Sequence, residues 1–278
     1  DGVNKSIKVD TISEVTSANG VAVDGVTLKD NKVTANGGLV ADNITIDGTE
    51  IDLSSGDLTL DAAGRIDLSA DDNGEVRLFD GSSNYGQFKD DDDRLKIQGL
   101  IADKDMLLVV NNGGSEATSI VIDSTGAVTK PLQPAVLAYS SSAQNDIATG
   151  VVTIQLDAEV YDVGADFNTS NYTFTAPVTG KYMCSGQIAM TDVDTAFQWI
   201  YGRFNTSNRI YYMALIDPRI EMSADGIHTW TFSALVDMDA NDTLVLDTRS
   251  SAHGAAQNNI TVSTATALET FMTVYLAV

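Results

Sequence analysis

Cysteine is almost missing from this 278-residue chain. Cys184 stands alone, which excludes an intrachain disulfide framework and any zinc site built on several cysteines. Histidine is nearly as rare: His228 and His253 are the only two, and neither sits in a metal or hydrolase motif. Basic residues are outnumbered, 16 against 39 acidic ones, for a net charge of −23. Such a surface repels a phosphate backbone, so nucleic acid is not an expected partner. The acids are spread out, with 24 in residues 1–130 and 15 after them, and therefore form no tail. No stretch reaches the roughly 20 apolar residues of a membrane-spanning helix, so no membrane insertion is expected. No signal-peptide pattern opens the chain. It begins at Asp1 without a methionine, which suggests processing or a longer parent chain. Long runs of Ala, Leu, Glu and Lys at helical spacing are also missing. With Thr, Val, Ile and Gly prominent, the composition points to an all-β protein.

What is present falls into two regions. In residues 1–130, pairs of apolar residues flank single polar ones: Ile44 and Ile46, Ile51 and Leu53, Leu58 and Leu60, Ile66 and Leu68, Val76 and Leu78. Pieces rich in turn-forming residues separate them, such as Ala35-Asn36-Gly37-Gly38 and Asp71-Asp72-Asn73-Gly74. Two buried aliphatic side chains contribute only a few kcal/mol, at about 25 cal/mol per Å². Ordering each residue costs about 1–2 kcal/mol, so one copy of this ribbon should not hold its shape. Two architectures would solve the problem. One is a single chain coiled as a solenoid, the other three chains wound together around one narrow core. The spacing of the pairs drifts from 7 to 10 residues, which favours an intertwined trimeric β-shaft, β-helix- or β-prism-like. Asp90 to Asp93 read as a solvated turn.

Lys130-Pro131-Leu132-Gln133-Pro134 carries two of the four prolines and marks residues 131–134 as a linker. Beyond it, residues 135–278 have longer strands at wider spacing, expected at 135–140, 151–156, 171–176, 181–190, 197–204, 209–216, 227–236, 243–249 and 270–277. That pattern, with no helix signal, implies a β-sandwich or jelly-roll head. Cys184 alternates with apolar neighbours and reads as a core thiol. Trp199, Tyr201, Tyr211 and Tyr212 read as filling the core or an interface between copies.

The stretch from Asn171 to Met190 is the most specific in the chain. Phe167, Tyr172, Phe174, Ala176, Pro177, Gly180 and Tyr182 resemble the signature of the complement-type globular head, in the tumour necrosis factor-like jelly-roll superfamily. Residues 134–142, 241–250 and 270–278 resemble its opening, late and closing strands. Where the family has Gly-Asp, this chain has Asn241-Asp242, and no collagen tract precedes the head. The resemblance implies a homotrimer, the same stoichiometry that the shaft requires. Residues 74–88 and 119–129 resemble linking segments of bacteriophage tail fibres and tailspikes. Together these resemblances imply a receptor-binding fibre of the virion, joined to other tail proteins upstream. Its tip would attach to a host-surface glycan or protein.

The binding residues are expected in loops at the end of the head away from the shaft: Asp192, Asp194, Arg219, Glu221, His253, Gln257 and Asn258. The spacing of Asp192 and Asp194 suits calcium, but neither a metal nor another cofactor is expected. Paired carboxylates are too abundant by chance to single out a hydrolase, so no catalytic residue is assigned and no enzyme activity is expected. A tailspike depolymerase and a bacterial surface adhesin stand as alternatives.

Overall fold

A computed structural model describes residues 55–68, 74–251, 259–260 and 267–278. The chain divides into two units, 1–66 and 67–278. In the first unit, residues 55–66 are exposed and form no strand, with bends at 55–56 and 63–64. Leu58 and Leu60 are more than half exposed, as is Leu68 beyond them. No strand is present at 58–60 or 66–68, where short strands were expected. The pairs expected at 44–46 and 51–53 lie outside the described residues.

The second unit begins with two antiparallel meanders. The first holds β1 (Val76–Asp80), β2 (Ser83–Asp90) and β3 (Leu95–Gly99). Its second turn is built by the aspartate run: Asp92 and Asp93 adopt φ of 60° and 62°, and the Asp91 amide donates to the Arg94 carbonyl at 2.9 Å. Two consecutive left-handed residues match the right-handed twist of a hairpin. The second meander holds β4 (Met106–Asn112), β5 (Ser115–Ile122) and β6 (Val128–Thr129), turning at Gly113-Gly114. All strand pairing among the described residues is antiparallel, so residues 74–130 contain no parallel β-helix coil. Leu95, Ile97, Leu107, Leu108 and Val110 remain more than half exposed on these ribbons.

The head follows, with β7 (Ala135–Tyr139), β8 (Gly150–Thr153), β9 (Ala158–Val163), β10 (Phe167–Asn168), β11 (Thr173–Thr175) and β12 (Gly180–Val193). Then come β13 (Ile200–Thr206), β14 (Ile210–Ile216), the single-turn helix α1 (Pro218–Glu221), β15 (Gly226–Met238), β16 (Thr243–Ser250), β17 (Asn259–Ile260) and β18 (Phe271–Leu276). One sheet has the order β15-β12-β18-β7-β9, and β17 pairs β12. The other has the order β10-β11-β16-β13-β14, and β8 pairs β16. Apart from the β10–β11 and β13–β14 hairpins and the short β17, the chain crosses between the sheets at every step. That winding makes the sandwich a jelly roll. α1 and β9 escape the sequence pattern, β9 because Glu159 and Asp162 interrupt its apolar run at a sheet edge.

The core lies between the sheets and includes Val136, Phe174, Tyr182, Cys184, Ile188, Phe204, Leu246 and Val274, all fully buried. The resemblance motif has a physical basis here. The Phe174 and Tyr182 rings meet edge to face at 5.5 Å, and the Tyr182 hydroxyl donates to the Val178 carbonyl at 2.7 Å. A Cβ on Gly180 would sit 2.6 Å from Leu276 Cδ1 and 2.7 Å from the Val278 carbonyl oxygen. The chain enters the head beside its own end, since the Leu276 amide donates to the Pro134 carbonyl at 3.0 Å. The loops after β12 and β14 therefore gather at the far end, where β16 also finishes.

Candidate functional site

Two features of the head are organised enough to consider as a site. The first is the polar loop cluster at the far end. A bulge between Met190 and Val193 throws Asp192 into a left-handed φ of 54°, a conformation that aspartate tolerates. Asp192 then accepts from Asn259 Nδ2 at 2.8 Å, and Asn259 Oδ1 accepts the Asp146 amide at 2.9 Å. Asp194 accepts the Ala196 amide at 2.8 Å. Asp225 ties two loops together by accepting the Thr195 amide and hydroxyl, each at 2.9 Å, and these bonds hold its pKa below the usual carboxylate value.

Arg219 and Glu221 lie on α1 and serve its cap. Asp217 is the N-cap and Pro218 occupies the first helical position, where a missing amide costs nothing. Arg219 Nε and Nη2 pair with the two Asp217 oxygens at 2.9 and 2.6 Å, while Glu221 Oε1 accepts the Asp217 amide at 2.8 Å. The sequence-expected residues Asp192, Asp194, Arg219 and Glu221 thus stand in neighbouring loops at one end, each with a hydrogen-bonding role inside its own loop or with the next. His253, Gln257 and Asn258 lie outside the described residues. No group of three metal-binding side chains occurs among the described residues.

The second feature is on the outer face of the β16–β13–β14 sheet. Along β13, Ile200, Gly202 and Phe204 point into the core, which sends Tyr201, Arg203 and Asn205 outward. Along β16, Leu244 and Leu246 point inward, and Val245, Asp247 and Arg249 outward. Register then sets Tyr201 opposite Arg249 and Arg203 opposite Asp247. The Trp199 and Tyr201 rings are 5.4 Å apart, and Tyr201 and Tyr212 meet edge to face at 5.0 Å. Arg249 lies over Trp199 at 5.7 Å and donates to the Tyr212 hydroxyl at 2.6 Å. Arg203 also reaches that hydroxyl, at 3.4 Å, and the two guanidiniums draw the Tyr212 pKa below its usual value.

Trp199, Tyr201 and Tyr212 are therefore not core residues, so of the two expected places, core or interface between copies, the core is excluded for them; Tyr211 does pack against the core. For Trp199 and Tyr201 the signal was in the alternation, because they are out of phase with Ile200, Gly202 and Phe204 along the chain. Asp225, Asn259 and Arg249 were also missed, and nothing in their local sequence distinguishes the first two from ordinary loop residues.

No protein-family model matches the chain. No curated protein matches it either. Among solved structures it is similar to the globular domain of zebrafish complement 1qA, at 10% identity and a TM-score of 0.38, over 52% of this chain and 98% of that one. Murine APRIL at pH 8.5 is similar at 9% identity and a TM-score of 0.37, over 52% and 99% of the two chains. Eiger TNF from S. frugiperda is similar at 11% identity and a TM-score of 0.39, over 52% and 93%. With every score below 0.5, the jelly-roll assignment rests on the strand order and register of this chain.

Proposed function

We propose that the chain is part of a homotrimeric phage tail fibre or spike, in which residues 1–130 contribute to a shared shaft and the head attaches the virion to a host-surface glycan or protein. One observation carries the trimer. The outward face of the β15-β12-β18-β7-β9 sheet presents an apolar row, Leu235, Met183, Tyr275, Ala135 and Val163, set side by side by the strand register. In the next row Leu137 and Tyr161 extend it beside Ser233, Ser185 and Thr273, and in the one after Phe271 and Tyr139 extend it beside Gln187 and Thr231. Leu235, Tyr275 and Tyr161 are 54%, 46% and 46% exposed in the single chain. A contiguous apolar face of this kind marks an interaction surface, and packing against identical copies would cover it. The exposed aliphatic side chains of the ribbons call for the same remedy. The fibre setting is supported by the sequence resemblance of residues 74–88 and 119–129.

Attachment follows from valency: three weak sites on one tip, and several fibres on one particle, give firm binding without any single tight contact. Light scattering on the whole chain tests the reading, together with binding of labelled protein to host cells. A mass near three times 29.5 kDa and saturable binding are expected. Leu235→Glu with Tyr275→Glu should release single chains. A wild-type monomer would overturn the trimer, and release of reducing sugar from host polysaccharide would replace attachment by depolymerisation.

A further inference from the structure

On a chain of net charge −23, Arg249 is an exposed cation with no carboxylate within ion-pair distance among the described residues. It is held in place by its own neighbours, over the Trp199 ring and against the Tyr212 hydroxyl. The rest of the patch is an aromatic shelf. Tyr212 is 47% exposed, and Leu215 and Val151, 53% and 56% exposed, stand on either side of the Tyr201–Arg249 pair across the sheet. Beneath it, Arg203 and Asp247 neutralise each other, which leaves Arg249 as the charge on offer.

We propose that this shelf binds an acidic saccharide, with the C–H face of a pyranose ring resting on the aromatic rings and its carboxylate paired with Arg249. The chemistry is complementary on both counts. A flat aromatic surface accepts a rigid ring at little entropic cost, and a pre-oriented guanidinium pairs with a carboxylate through two parallel hydrogen bonds. An acidic peptide is the poorer fit, because extended peptides dock by adding to an open sheet edge, and β13 and β16 are each paired on both sides. The patch lies on the opposite sheet from the apolar face assigned to copy contacts, so trimer formation through that face leaves the shelf open. The inference deepens the attachment reading and rests on it for its biological setting.

The two tryptophans separate cleanly: Trp230 is 6% exposed, and Trp199 is half-buried on the shelf. Tryptophan fluorescence of the whole protein therefore reports on the shelf. Titration with an oligogalacturonate and with sialyllactose should give a saturable change from at least one of them, and lactose should give none. Arg249→Gln keeps both tryptophans and should weaken the response at least about tenfold, the loss expected for one charge-assisted contact. Tyr201→Ala, checked for an unchanged melting temperature, should weaken it too. No response to either acidic sugar would overturn the proposal, as would equal response to lactose or an unaffected Arg249→Gln. A change of native mass in Tyr201→Ala would instead make the patch a contact between copies, and also overturn it. The attachment reading fails separately. If Arg249→Gln binds host cells like the wild type, only the site is lost; if the wild type is a monomer that still answers to the sugar, only the fibre is lost.

Discussion

Arg203 and Asp247 face each other on adjacent strands and form a two-pronged ion pair, with Nε to Oδ1 at 2.6 Å and Nη2 to Oδ2 at 2.8 Å. They are 2% and 0% exposed, although both project from the outer face of their sheet. Asn205 donates a third bond to the carboxylate at 3.1 Å, and Arg203 lies against the Tyr212 ring at 5.2 Å. The sheet thus has a polar layer sealed under the aromatic shelf. Burial pushes the Asp247 carboxyl above its usual pKa, and Arg203 opposes that rise.

A buried pair of this kind costs most when half of it is removed. Asp247→Ala should destabilise the head by about 3–5 kcal/mol, because the guanidinium is left buried without its partner. Replacing both, Arg203→Met with Asp247→Leu, should recover most of the loss. Urea unfolding of the two variants checks this. A double variant no more stable than Asp247→Ala would show that the pair contributes more than mutual compensation.

Gly180 is fixed by close approach to the chain end. An added Cβ would press on the Val278 carbonyl, which is backbone and cannot swing aside as a side chain can. Gly180→Ala should cost about 1–3 kcal/mol through displacement of that segment. The melting temperature should fall by several degrees, at about 2–4 °C per kcal/mol for a domain of this size. An unchanged melting temperature would mean that the terminal residues yield freely.

The motif around Gly180 was legible because each of its residues answers to a local demand: a ring for the core, a turn, a gap for a crossing chain. Asn241 shows the same logic, since its φ of 73° is a left-handed conformation that favours glycine or asparagine. The head's long strands were legible from alternation. β9 was not, because edge strands carry charge and break the pattern. The bonds that organise the loop cluster pair Asp192 with Asn259 and Thr195 with Asp225, at separations of 67 and 30 residues that local pattern does not report. Asp247 and Arg203 are 44 residues apart and were invisible for the same reason.

Cys184 offers a simple check on the core. It is fully buried between the sheets, and burial pushes its thiol pKa up to about 12. The thiolate is the reactive form, so the folded protein should resist thiol reagents at neutral pH. Labelling should become complete in denaturant, and its rate under native conditions should track opening of the sandwich. Rapid labelling of the native protein would place Cys184 outside the core.

Asp242 provides the pH dependence. Its carboxylate accepts the Ser207 hydroxyl at 2.6 Å, Asn208 Nδ2 at 2.7 Å and the Asp239 amide at 2.8 Å, joining the turn before β16 to the β13–β14 hairpin. The Ser207 bond, and after it the Asp239 amide, hold its pKa below the ordinary value of 3.8. A carboxyl whose pKa is lowered on folding stabilises the fold above its unfolded pKa, and that contribution is lost as pH falls through the folded value. Asp242→Asn should therefore melt below the wild type at neutral pH, with the gap constant down to about pH 5 and closing below about pH 4. Measuring the difference between the two proteins removes the opposing effect of Glu159 and Asp166, which burial and Asp162 push upward in both. A gap that persists unchanged to about pH 2 would mean that the Asp242 bonds do not depend on its charge.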